Sequence, residues 1–289
     1  MKCIGEKIVF LILAAVLTPA LGAQSLMGMS LNGASGLYTI PSARIGWDQN
    51  ADVGLDIGYH AISSHSKMTH IPAIGVSLFR WLEISAAFDI QPEYFDNYVH
   101  NNDLLLGVKI QFPQSLIRGG TSLALGGNFQ FHNLGDGSTQ RPADKEWGSE
   151  NLVLQIYGAV SYAGEFFNMP AETTVVLGKT FILHDAAYLN RDMDNKNIDF
   201  GMGFDLSLFP TVLRNYVHLI IDFSNYAYSA LPYPNSAAYR GILNGGLRID
   251  LSVIPPLRRL KFYVDILGTD LLDESRALAF GLVFGGSVK

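Results

Sequence analysis

Residues 198–208 read Ile-Asp-Phe-Gly-Met-Gly-Phe-Asp-Leu-Ser-Leu. Ile198, Phe200, Met202, Phe204, Leu206 and Leu208 share one side of an extended chain; Asp199, Gly201, Gly203, Asp205 and Ser207 share the other. A helix would scatter both sets around its circumference, so the period of two specifies a strand with one greasy and one wet face. Gly201 and Gly203 would weaken an ordinary sheet and are read as places where a strongly coiled sheet bends.

The same alternation recurs along the chain. At 51–60, Val53, Leu55, Ile57 and Tyr59 oppose Asp56 and His60; at 82–91, Leu82, Ile84, Ala86, Phe88 and Ile90 oppose Glu83 and Asp89. At 102–112, Leu104, Leu106, Val108 and Ile110 oppose Asp103 and Lys109; at 217–224, Val217, Leu219, Ile221 and Phe223 oppose His218 and Asp222. At 260–267, Leu260, Phe262, Val264 and Ile266 oppose Lys261 and Asp265. Weaker runs at 71–79, 121–131, 152–162, 173–182, 241–251 and 277–285 bring the expected count to about twelve strands, within 10–14, each about nine to eleven residues long, the length with which a tilted strand crosses a bilayer.

The chain opens with Lys2 and Lys7, an apolar run from Ile8 to Leu17, and small residues ending at Ala23, the pattern of a secretory signal peptide over 1–23 cleaved after Ala23. Without that leader, which carries a net +1, the formal charge of −6 becomes −7, the wrong sign for nucleic acid. Cys3 lies in the leader, so the mature chain has no disulfide to stabilise it. Charged residues are 16% of the chain against about 25% in ordinary soluble domains, hydrophobic residues are 48%, and Gly numbers 29. An exported, apolar, Gly-rich chain without a later apolar run long enough for a membrane helix fits a β-barrel, in which closure satisfies every strand amide away from water.

Connections between the runs alternate. Those at 61–70, 92–101, 132–151, 183–197, 225–240 and 268–276 are long and polar, and most of those at 80–81, 113–120, 163–172, 209–216 and 252–259 are shorter. Long external loops and short periplasmic turns are the outer-membrane pattern. The expectation is therefore an all-β, transmembrane antiparallel barrel over 51–289, preceded by a mature N-terminal segment at 24–50. The charged faces nominate the lumen lining: Asp56, Glu83, Asp89, Asp103, Asp199, Asp205, Asp222 and Asp265, with Lys109, Lys179 and Lys261 as counter-charges.

Segment 24–50 holds Gly36-Leu37-Tyr38-Thr39-Ile40-Pro41-Ser42-Ala43-Arg44. Pro41 has no N–H for a ladder, so a central strand through it is disfavoured. Leu37 and Ile40 want burial, which leaves two placements: packing at the periplasmic rim, or folding into the lumen as a constriction. Gly36, Leu37, Pro41, Ser42, Ala43 and Arg44, followed by an alternating strand, resemble the opening of YjbH-like outer-membrane barrels, a family associated with exopolysaccharide production. The resemblance implies an envelope or export role and no defined catalytic residue.

Signals for chemistry are weak. His60, His65 and His70 recur every five residues, a spacing that places no two on a shared face with ligand geometry, and a polar external loop is the plainer reading. Ser63, Ser64 and Ser66 near His60 form no hydrolase motif. Asp192 to Asn197 lacks the central Gly and terminal Glu of a calcium loop. Neither a metal nor a cofactor is expected. Aromatic residues near strand ends, among them Tyr59, Trp81, Tyr157, Tyr162, Phe166 and Phe167, suit the two membrane interfaces. The expected partners are outer-membrane lipid, the barrel-insertion machinery, and small solutes or a glycan passing through a narrow lumen. A surface-exposed structural or adhesive barrel is the second reading, and a barrel-borne hydrolase the third.

Overall fold

The computed structural model describes residues 28–47, 51–64, 67–91, 101–113, 120–131, 152–182, 198–226, 241–254, 257, 260–272 and 276–288. The strands are β1 (Val53–Ser64), β2 (Lys67–Leu78), β3 (Leu82–Gln91), β4 (Asn101–Gln111), β5 (Thr121–Phe131) and β6 (Leu152–Phe166). They continue as β7 (Met169–Ile182), β8 (Asp199–Ser207), β9 (Val217–Ser224), β10 (Ile242–Asp250), β11 (Lys261–Thr269) and β12 (Ala277–Val288). Each strand pairs antiparallel with its neighbours in sequence, and β12 returns to pair with β1, so the sheet is a closed barrel of twelve strands. The seam runs from Val53 opposite Val288 to Ser63 opposite Leu278.

The two faces separate as the alternation requires. On β12, Leu278, Phe280, Leu282 and Phe284 point outward and are exposed, while Ala277, Ala279 and Val283 point inward and are buried. Leu55, Ile57, Ile84, Val108, Leu125, Ile156, Leu177, Met202 and Ile266 carry the exposed apolar face around the wall. Soluble proteins scatter such residues singly; an unbroken belt of them is a surface made for an apolar medium.

One rim gathers the start of β1, the end of β12 and the short connections. Phe79–Arg80 and Phe167–Asn168 lie in left-handed backbone, with φ of 53°, 65°, 50° and 60°, the geometry of a two-residue primed turn. Glycine or asparagine usually supplies that geometry; here two phenylalanines accept it and project from the rim with Trp81 and Phe166, Phe167 being 80% exposed.

Two expected connections are strand instead. The polar stretch 61–70 is the top of a hairpin: β1 runs to Ser64, β2 starts at Lys67, and Ala61 pairs with His70. Likewise 163–172 narrows to Phe167–Asn168, with Ala163 opposite Glu172. In both, the ladder outlasts the clean alternation: Ala61 and Ser63 interrupt the outer face of the first, whereas the second keeps Phe166 and Met169 outward while Glu165 and Glu172 lie on the other parity.

Candidate functional site: a lumen filled by the N-terminal segment

Residues 28–47 lie inside the barrel, and every one of them is buried. Of the two placements open to the Gly36–Arg44 motif, the structure adopts the lumen. The segment folds on itself through bridges between Met29 and Ser35 and between Gly36 and Pro41. Leu37 N–H donates to Ile40 O at 3.0 Å, and Ser42 N–H to Ser35 O at 2.9 Å. Pro41 takes its place as a bridge partner without breaking a ladder, since this small plug is no part of the wall.

The wall makes room for it with glycines. A Cβ at Gly54 would overlap the Trp47 ring, and one at Gly58 would overlap the Met29 sulfur. At Gly201 it would stand 2.6 Å from Ile40 Cγ2, and at Gly203 2.7 Å from Leu37 Cδ1. The mid-strand glycines thus vacate the volume that the plug's apolar side chains fill, a role beyond sheet curvature.

Three wall carboxylates hold the plug, two fully buried and Glu172 partly so. Glu83 accepts the N–H and hydroxyl of Ser35 and the N–H of Gly46, the last at 3.1 Å, so it ties both roots of the fold together. Asp222 Oδ2 accepts the consecutive N–H groups of Tyr38 and Thr39 at 2.8 and 2.7 Å, and Oδ1 accepts the Thr39 hydroxyl and Asn244 at 2.9 and 2.8 Å. Glu172 accepts Ser42 Oγ at 3.0 Å and Arg44 Nη1 at 2.9 Å. Neutral wall groups complete the grip: Ser161 Oγ takes the Ala43 N–H and Gln111 Oε1 the Ile45 N–H, both at 2.9 Å. Charge-assisted bonds of this kind are the stronger class, and burial in the lumen removes the water that would compete with them.

The lumen cations are bound in the same network. Lys109 pairs with Glu83 at 2.9 Å and donates to the carbonyls of Ser35 and Arg44 at 3.1 and 2.8 Å. Lys261 meets Asp56 at 2.6 Å and lies 5.3 Å from the Trp47 ring, whose Nε1 donates to Asp56 at 2.8 Å. Arg248 grips Asp265 through Nε and Nη2, each at 2.8 Å, with Asp205 at 3.8 Å and Gly36 O at 3.4 Å from Nη1.

Further along the lumen, Asp103 accepts from Gln130 at 3.2 Å and stands opposite Asp89 across the β3–β4 ladder; Asp199 accepts from Gln155 and Thr180 at 2.8 and 2.6 Å. Asp56, Glu83, Asp89, Asp103, Lys109, Asp199, Asp222, Lys261 and Asp265 are all buried on the lumen face. Asp205 joins them beside His218, at 2.6 Å.

Lys179 is a correction. It stands opposite Ile156 and one step along from Leu177's neighbour Gly178, on the parity that points outward, where Ile156 and Leu177 are each 54% exposed. It sits near the end of β7, where a long side chain can carry its charge past the apolar belt. Sequence reading also missed Glu172, which fell in the expected connection 163–172, and Arg248, whose strand alternates weakly; each is a charged residue in step with buried neighbours, Thr174 for Glu172 and Asp250 for Arg248. Tyr157, expected at a membrane interface, points inward instead and packs over Gly126.

Other candidates do not converge. His60 faces the lumen, whereas Ser63 and His70 face outward, His70 bonding Tyr59. His65, Ser66 and the acidic loop at 192–197 lie outside the described residues, and among the described residues no cluster of metal-ligating side chains occurs. Ser207 and Asp205 flank His218, but His218 Nε2 faces Asn215 O at 3.1 Å and the Ser207 hydroxyl donates to Asn215 Oδ1 at 2.9 Å, which leaves no nucleophile aimed at the imidazole.

No protein-family profile matches the chain, and no curated protein matches it. Solved barrels resemble it in chain trace. The KdgM porin has a TM-score of 0.47 at 8% identity, covering 81% of this chain and 99% of its own. Omp33 of Acinetobacter baumannii scores 0.40 at 9%, covering 82% and 98%, and OprD of Pseudomonas aeruginosa 0.31 at 9%, covering 91% and 98%.

Proposed function

We propose that the protein is an outer-membrane conduit for small solutes, closed at rest by its own N-terminal segment. The apolar belt supports the membrane placement, and the rim aromatics Phe79, Trp81, Phe166 and Phe167 suit the headgroup level. The observation that carries the conduit reading is the inward face: among apolar residues such as Ile71, Leu105 and Tyr263 it carries many acidic, basic and amide side chains, and these bond a separable chain segment. The envelope role implied by the Gly36–Arg44 resemblance fits this reading, with a glycan as one candidate solute.

Planar-bilayer recordings test it. A protease site inserted between Trp47 and Ala51 lets the chain fold intact and be cut afterwards. The intact protein is expected to hold a low, flickering conductance and the cut protein, washed free of its plug, a steady one. Carboxylates outnumber cations around the lumen, so the current should favour cations. Zero current before and after cutting would instead favour a structural or adhesive barrel that acts through its loops.

A further inference from the structure

We propose that the lumen wall is a receptor for peptide backbone, so that the solutes this conduit admits are short peptides. The inference rests on the conduit reading above and adds the solute class to it.

The plug shows what the wall can bind. Six of its backbone N–H groups, those of Ser35, Tyr38, Thr39, Ala43, Ile45 and Gly46, end on wall side chains: Glu83, Asp222, Ser161 and Gln111. The carbonyls of Ser35 and Arg44 end on Lys109. These are main-chain atoms, which every peptide repeats, so this share of the grip does not depend on the plug's sequence. The wall supplies both halves of what a peptide unit needs, acceptors for N–H and a cationic donor for C=O. Asp222 receives two successive amides on one oxygen, the arrangement that a backbone turn presents. Sequence enters through the plug's side chains: the hydroxyls of Ser35 and Thr39 donate to Glu83 and Asp222, the Trp47 indole donates to Asp56, and Ser42 and Arg44 donate to Glu172, the last giving preference to a chain that carries a basic residue. The glycines at 54, 58, 201 and 203 leave shallow recesses in the wall for apolar side chains of differing shape.

The plug-cut protein tests this directly, using three probes at equal concentration: the synthetic peptide of residues 28–47, a Gly/Ser/Thr-rich peptide of the same length carrying one arginine, and maltohexaose. The plug peptide is expected to block the current, the unrelated peptide to block within about tenfold of its potency, and the sugar to leave it unchanged. Block by the plug sequence alone, or stronger block by the sugar, overturns the peptide assignment while the conduit stands. If the cut barrel passes no current, the conduit reading fails, and fluorescence anisotropy of the two labelled peptides decides the receptor by itself: similar affinities uphold it, and no uptake overturns it. Should the insertion prevent folding, Gly54→Val in the uncut chain, which dislodges Trp47 and leaves Glu83, Asp222 and Lys109 in place, serves instead. It is expected to raise uptake of both labelled peptides several-fold over the parent, and uptake of the plug sequence alone, or of neither, contradicts the proposal.

Discussion

The indole of Trp47 occupies the space that a side chain at position 54 would need: a Cβ on Gly54 would overlap its Cγ and Cδ1. Gly54→Val should therefore unseat the root of the plug while improving the strand, since valine suits a pleated wall and glycine does not. The expected result is a barrel that still folds in lipid vesicles, with residues 28–47 newly open to protease and a higher open probability. The outward neighbour Val53→Leu should change neither.

Asp222 bonds the plug's tip through Tyr38 and Thr39. Hydrogen bonds to a charged group are worth about 1.5–3 kcal/mol each, with losses in one cluster less than additive. Asp222→Ala should raise the rate of proteolysis within 28–47 by at least tenfold, with Asp222→Asn between it and the parent. A plug equally protected in all three proteins would show that the tip is held by packing alone.

Glu83 and Lys109 form a pair 2% and 1% exposed at their side chains. Lys109→Met leaves Glu83 buried without its cation, a change that costs about 3–5 kcal/mol when a buried pair is broken from one side. Urea titration of vesicle-folded protein should show that loss. The double change Glu83→Gln with Lys109→Met should recover part of it, because a neutral amide can still accept from Ser35 and Gly46.

The two faces of the wall make a paired prediction. Ile156→Arg places a charge in the apolar belt and should cost about 2–4 kcal/mol in folding from urea into bilayers, the range for arginine near a bilayer midplane. Lys179→Leu, on the same outward parity near the end of β7, should leave the ion selectivity of the cut barrel unaltered. A change in selectivity would place Lys179 in the lumen after all.

Strand number and strand face were legible because both follow from a single local rule. The inward row Asp199, Gly201, Gly203 and Asp205 announces itself by alternation, whatever lies across the lumen. That rule fails where its cause lapses. At Ala61–His70 and Ala163–Glu172 the wall continues past the clean pattern, where Ser63 and His70 face outward on the first and Glu165 and Glu172 sit beside a turn on the second. Lys179 was misassigned because a charge was taken as proof of the wet face, although its neighbours Leu177 and Ile156 fix the parity. The place of Gly36–Arg44 was not legible. Its wall partners lie 65 to 212 residues away, from Lys109 to Arg248, and no local pattern encodes so distant a contact. The glycines of β1 and β8 were visible, yet their purpose appears only when Trp47, Met29, Ile40 and Leu37 are set against them.

The seam between β1 and β12 gives the molecule an order of birth. The first folded piece of the chain ends up encircled by strands drawn from its whole length, and the last strand made is the one that shuts the ring. A cylinder that zips before residues 28–47 are inside must admit them through a rim or reopen, and long-range closure of this kind is slow. Refolding should thus divide into a fast population that captured its own beginning and a slow one, hollow at first, that acquires it late.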